Sequence, residues 1–406
     1  MAKKQTEPAD KLATFATSLT ARIGAQRKAL EKKFGVDIRP MPTVGLYLPH
    51  LALRYVFRGN VLLFGRSYVV FGPPGSCKSS LLYWLYRLFV QAGGYYMHLE
   101  AEDKDQPALR ASVLGYPAHI DDDQWRHRVA TLNDYQKLYY SYCEWFRDQC
   151  GKLGVGRRVP FIVGIDSLTA KLAENTLDAF TDNDGATTQR FGDAANAIAQ
   201  WMRWATNTIH GWPFLLVGVN HDKAKPGKSQ YDAKTHHAPG GDHPLFAATT
   251  RILVERSRQL PRLANGDEGV TVRMKVDKNS ASVTGQQIEV DFKWNATEPQ
   301  QRSWWDFDKA SIVLLESLIE NAKGQLSENL QDLLQLQKHA GGLWSSKALD
   351  VAKSDAVTAA ELGARLEMSP LLPDVERLLE IRQGLIFSPG DDMETYMQKT
   401  AGYTDE

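Results

Sequence analysis

Cysteine is scarce in this chain of 406 residues, with only Cys77, Cys143 and Cys150. An odd, sparse set excludes a disulfide framework and points to a reducing compartment. A surplus of charge of one sign is also missing, since 48 Lys and Arg balance 48 Asp and Glu. No global field marks a polyanionic partner, so local charge has to carry any such argument. The N-terminus, MAKKQTEPADK, lacks the apolar core of a secretory signal. Long apolar runs are absent too. Pro49, His50, Arg54, Arg58 and Arg66 interrupt the most apolar region, residues 44–72, which argues against a membrane span. No internal repeat or long low-complexity tract occurs. The expectation is a soluble, cytoplasmic protein with no membrane partner, long enough for a large domain plus a smaller one.

What is present is an alternation. SYVVF (67–71), YYMHL (95–99), FIVGI (161–165) and FLLVGV (214–219) are apolar runs separated by helical patterns. Such runs predict an α/β fold with a mostly parallel twisted sheet covered by helices on both faces. RILVERS, VTVRMKV and QQIEVDFKW predict an antiparallel extension. Residues 1–44 read as a basic helical arm, with nine Lys/Arg and four Asp/Glu over residues 1–40. The core is expected over 45–298 and a mainly helical C-terminal domain over 299–387. Residues 388–406, with five acidic residues and one lysine, read as a flexible acidic tail that competes with DNA for basic surface.

The stretch FGPPGSCKSS places a phosphate-loop pattern, G-x-x-x-x-[G]-K-S, between an apolar run and a helical one. Gly72, Pro73, Pro74, Gly75, Ser76, Cys77, Lys78, Ser79 and Ser80 are the candidate nucleotide-binding residues. Backbone N–H groups and a helix N-terminus would hold phosphates there. Lys78 would reach the β- and γ-phosphates, and Ser79 would ligate Mg²⁺ of bound ATP. Cys77 stands where the pattern has glycine. A small thiol fits there if φ is negative, and a helix N-terminus lowers a thiol pKa. Asp166, ending FIVGID, is the second metal candidate. Glu100 and Glu102 follow YYMHL at a strand's carboxyl end, where one carboxylate would orient water.

Seven segments in order resemble the RecA-type recombinase family, within it the UvsX-like phage recombinase group. They are ALEKKFG (29–35), GPPGSCKSS, LEAED (99–103), GIDSL (164–168), VGVNH (217–221), APGGDHPLFAATTRILVER (238–256) and MKVDKNS (274–280). The resemblance covers residues 25–295. It implies a RecA-like P-loop ATPase core and a DNA-dependent ATPase that forms a helical filament on single-stranded DNA. That filament would pair homologous duplex DNA and exchange strands. By the resemblance Glu102 is catalytic with Lys78, Asn220 and His221 sense the γ-phosphate, and Lys278 reaches ATP bound by a neighbouring subunit. A single-stranded-DNA-binding protein and a mediator would be further partners, in a bacterial or phage-infected cell. Ser280 departs from the family's second lysine, and no adenine-stacking tyrosine stands near Pro107, where Leu109 and Arg110 lie.

Residues 221–243 carry Lys223, Lys225, Lys228 and Lys234 with Tyr231, His236 and His237 among them, and glycines at Gly227, Gly240 and Gly241. Basic groups, an aromatic and flexible glycines suit a single-stranded backbone. No regular element is expected there. A second loop, 170–192, offers Arg190 and Phe191 within an acidic run. Tyr83, Trp84, Tyr86 and Phe89 at helical spacing read as core. Two competing functions share these features: a hexameric helicase motor and a non-catalytic ATP-gated DNA-binding protein.

Overall fold

The computed structural model describes residues 44–100, 107–115, 126–128, 132–168, 193–221, 223–225, 235–237, 248–263, 266–280, 284–295, 303–321 and 325–396. The apolar runs become strands because each needs cover on both faces. They follow a short entry of β1 (Val44–Tyr47), α1 (Leu51–Phe57) and β2 (Val61–Leu63). Then come β3 (Arg66–Gly72), α2 (Lys78–Gln91), β4 (Tyr95–Glu100), α3 (Pro107–Leu114), β5 (Arg126–Arg128) and α4 (Leu132–Lys152). Next are β6 (Phe161–Asp166), α5 (Asp193–Ile209) and β7 (Phe214–His221). The ribbon of β8 (Lys223–Lys225) and β9 (Thr235–His237) precedes β10 (Thr250–Leu260), β11 (Asp267–Asn279), β12 (Gln287–Asn295) and β13 (Ser303–Asp306).

The large sheet has nine strands in the order β13-β12-β11-β10-β3-β7-β6-β4-β5. From β10 to β5 every pairing is parallel, and from β10 to β13 every pairing is antiparallel. The chain is therefore α/β, with a large mixed sheet of mostly parallel strands flanked by helices. Helix α2 covers one face through Leu81, Leu82, Tyr83, Trp84, Tyr86 and Phe89, all buried. Helices α4 and α5 cover the other. Ile198, Trp201, Met202, Ala205 and Ile209 form the inner stripe of α5 at helical spacing. Full burial of a large apolar side chain of this kind stabilises by about 1.5–3 kcal/mol. Cys143 and Cys150 are buried on α4 as free thiols. Among the described residues no helix is long and apolar enough to cross a membrane.

The C-terminal unit comprises α6 (Phe307–Asn321), α7 (Gln325–Leu334), β14 (Leu336–Lys338), β15 (Trp344–Ser346), α8 (Ala359–Glu367), α9 (Leu372–Leu378) and β16 (Leu385–Ile386). Three readings of its boundaries change. Ser303–Asp306, past the expected core limit of 298, is a strand of the large sheet on β12. Residues 336–338, read as helix, form a hairpin strand, because Gln335 takes a left-handed φ of 46° and ends α7. Residues 388–396 are not a free tail. Phe387 and Met393 are buried in the core, Met393 N–H donates to Arg157 O, and β16 pairs in parallel with β1. The physical reason is that apolar residues interleave the acidic ones and bury more surface than a solvated tail would. Residues 1–43 and 397–406 lie outside the described residues.

Candidate functional site: the carboxyl edge of the parallel sheet

Strand β3 ends at Gly72 against its neighbour. A Cβ there would come within 1.9 Å of Val254 O on β10, so only glycine allows the approach. The chain then turns through Gly75, at φ 73°, and Cys77, at φ 64°, into α2. No acidic side chain occupies the first turn of α2 and no side chain caps it. Its first backbone N–H groups and positive dipole end therefore suit an anion. Lys78 is buried, with Nζ donating to Pro73 O at 2.7 Å. Ser76 is 1% exposed, and among the described residues its hydroxyl has no hydrogen-bond partner. Buried orphans of this kind are rare, and a phosphate oxygen would supply the partner.

The structure corrects two readings of Cys77. Its φ is positive, so the loop forces a left-handed backbone on a residue with a Cβ, which costs about 1–2 kcal/mol. Its thiol is not activated. Burial pushes its pKa up to about 11, with Arg256 and Lys78 offsetting part of the rise. Desolvation exceeds the pull of the helix end because the side chain packs against the apolar core.

Asp166 closes β6 two strands away and accepts a hydrogen bond from the Ser79 hydroxyl. Oxygen donors of this hardness suit Mg²⁺, so Ser79 and Asp166 fit the cation that the phosphate-loop pattern implies. Among the described residues no group of three or more His, Cys, Asp and Glu could hold a metal by itself. A cation here would thus share its ligands with nucleotide and water. Asn220 and His221 end β7 beside Phe71 and Gly72 in register. Asn220 is buried, and its Oδ1 accepts from His221 N–H at 2.9 Å. Glu100 ends β4 in register with Asp166. It is buried, and His98 Nε2 lies 3.2 Å from its Oε2. Sequence reasoning missed His98, although its two-residue spacing from Glu100 places both on one strand face.

Lys278 is not brought to this edge. It pairs with Arg251, which is level with Val69 on β3, three residues before Gly72. Its Nζ donates to Ala248 O at 2.7 Å, and burial, ahead of Arg251, lowers its pKa. The expected irregular stretch after His221 contains a paired ribbon instead, in which Lys223 meets His237 and Lys225 meets Thr235 in register. Backbone pairing across a hairpin satisfies N–H and C=O groups that an open loop leaves to water. Glu102, Arg190, Lys228, Tyr231, Lys234, Gly240 and Gly241 lie outside the described residues.

No protein-family model matches the chain, and no curated protein matches it in sequence.

Proposed function

We propose that this chain is a RecA-type ATPase that forms a helical filament on single-stranded DNA and promotes pairing with homologous duplex and strand exchange. The carrying observation is the bond between Ser79 and Asp166, at the head of α2 and beside Lys78. It joins the phosphate loop to the acidic strand end, as a P-loop ATPase requires. The RecA-type assignment adds the order of the seven sequence segments and one feature of topology. Lys278 sits about 10 Å back along the strands from the loop. A lysine there is out of reach of its own chain's nucleotide and suits one bound by a neighbour.

In this reading Ser79 and Asp166 would hold Mg²⁺, which would supply neutralisation of phosphate charge. Lys78 leaves the Pro73 carbonyl for the phosphates, and Glu102 orients the attacking water. Asn220 and His221 pass the state of the γ-phosphate to the 222–243 segment, whose lysines meet DNA in a salt-sensitive way. Lys78→Ala and Asp166→Ala should each lower DNA-stimulated ATP turnover on the order of a hundredfold. Electron microscopy with single-stranded DNA and a non-hydrolysable ATP analogue should show helical filaments. Closed rings, or turnover indifferent to Glu102→Gln, would sink the proposal.

A further inference from the structure

Beneath the carboxyl edge runs a chain of polar side chains that the chemistry above leaves unused. Tyr86, His98 and Glu100 are 0%, 0% and 2% exposed. Tyr86 Oη lies 2.9 Å from His98 Nδ1, and His98 Nε2 lies 3.2 Å from Glu100 Oε2. With the tyrosine hydroxyl donating to Nδ1, the ring carries its proton on Nε2 and donates it to the carboxylate. Burying three polar groups is unfavourable unless they bond one another, and an apolar trio would pack β4 on α2 without that penalty. The neighbouring strand also makes room for the arrangement. Gly164 pairs with His98 in register, and a Cβ on it would come 1.8 Å from Tyr86 Oη. Glycine in the middle of buried β6 is what lets the hydroxyl reach the imidazole.

The chain of bonds leads to the site. Glu100 and Asp166 are register partners on parallel neighbours, and such strands lie about 4.8 Å apart. Asp166 meets Ser79 at the head of α2, and His98, two residues before Glu100, meets Tyr86 on the same helix. Side chains two apart on a strand share a face, so both carboxylates lie on the α2 face.

We infer that Glu100 is a second carboxylate at the metal end of the site and that His98, steadied by Tyr86, is the positioning residue that aims it beside Asp166. Resting on the nucleotide reading above, the role of Glu100 is to accept a hydrogen bond from water around Mg²⁺, an ion that keeps several of its waters.

The test titrates Mg²⁺ against binding of a fluorescent ATP analogue to the full chain, unsubstituted and as Glu100→Gln, His98→Phe and Tyr86→Phe. The half-saturating Mg²⁺ concentration should rise about tenfold for Glu100→Gln and His98→Phe, as when a group orienting a metal's shell is lost. The rise should be smaller for Tyr86→Phe, and affinity in EDTA should not change. A merely structural role lowers the melting temperature and leaves the Mg²⁺ midpoint in place. If His98→Phe fails to fold, near-isosteric Glu100→Gln decides, and an unmoved midpoint in that variant overturns the inference. Mg²⁺-independent binding by the unsubstituted chain would overturn the Glu100 assignment alone. Absence of any binding would overturn the nucleotide reading and this role with it.

Discussion

Cys77 combines two properties that usually exclude each other in a phosphate loop, a side chain and a left-handed backbone. Its thiol stays protonated at neutral pH because burial pushes its pKa up to about 11. Since the thiolate is the reacting species, alkylation of Cys77 by iodoacetamide should be slow at pH 7. It should rise roughly tenfold per pH unit through pH 8–10, as a pKa of about 11 requires. A rate that bends over near pH 9, the ordinary thiol value, in mass-spectrometric mapping would show an unshifted thiol. Cys77→Gly removes the strain but also a side chain packed on the core. The two effects are each about 1 kcal/mol and opposed, so the melting temperature should hardly move. Residue type alone could not reveal the sign of φ here. It is set by the path the backbone takes from β3 to α2, whichever side chain must follow it.

At the scale of elements, the longer strands of the large sheet were legible and the short strands were not. β6 and β7 are apolar on both faces because helices cover both, which writes them as continuous apolar runs. β5 is the three residues RHR at a sheet edge, and a short charged edge strand carries no apolar signal. β16 is two residues long and owes its pairing to β1, more than three hundred positions away in sequence. In the site, Lys78 and Ser79 were legible because the motif fixes their spacing, and Asp166 because it ends an apolar run. His98 was not, since it stands as a single polar residue within an apolar run. Two segments more than three hundred positions apart are tied by an equally hidden bond. Arg54 of α1 and Glu376 of α9 are buried and pair at 3.0 Å, while Arg54 Nε donates to Leu48 O at 2.6 Å. Arg54→Ala should destabilise by about 3–5 kcal/mol, because it leaves buried Glu376 without its opposite charge, with Gln383 Nε2 still donating to it. Arg54→Met with Glu376→Leu should cost less than the single change. Denaturant melts of the three variants check this, and a double variant that is the least stable would contradict it.

For the molecule as a whole, the sequence suggested an ATPase core, a helical domain and a loose tail in succession. The fold instead brings residues 385–386 back to β1. Deleting residues 388–406 therefore cannot serve as a clean removal of acidic charge, since Met393 and its neighbours are part of the core. Such a truncation should lose about 1.5–3 kcal/mol or more for Met393 alone, read as a lower urea midpoint. An unchanged midpoint would mean that the segment contributes nothing to stability. Competition between acidic residues and DNA is better tested by deleting 397–406, which leaves β16 and the buried segment in place.

The pairing of β16 with β1 also sets an order of events during synthesis. Val44 leaves the ribosome well before its partner Leu385. The hydrogen-bonding edge of β1 that faces β16 stays open while the intervening three hundred or so residues are made, at about 5–20 residues per second. A message truncated upstream of codon 385 yields a product in which the edge of β1 that faces β16 never closes. Such a product carries its own exposed edge for chaperones and proteases to recognise.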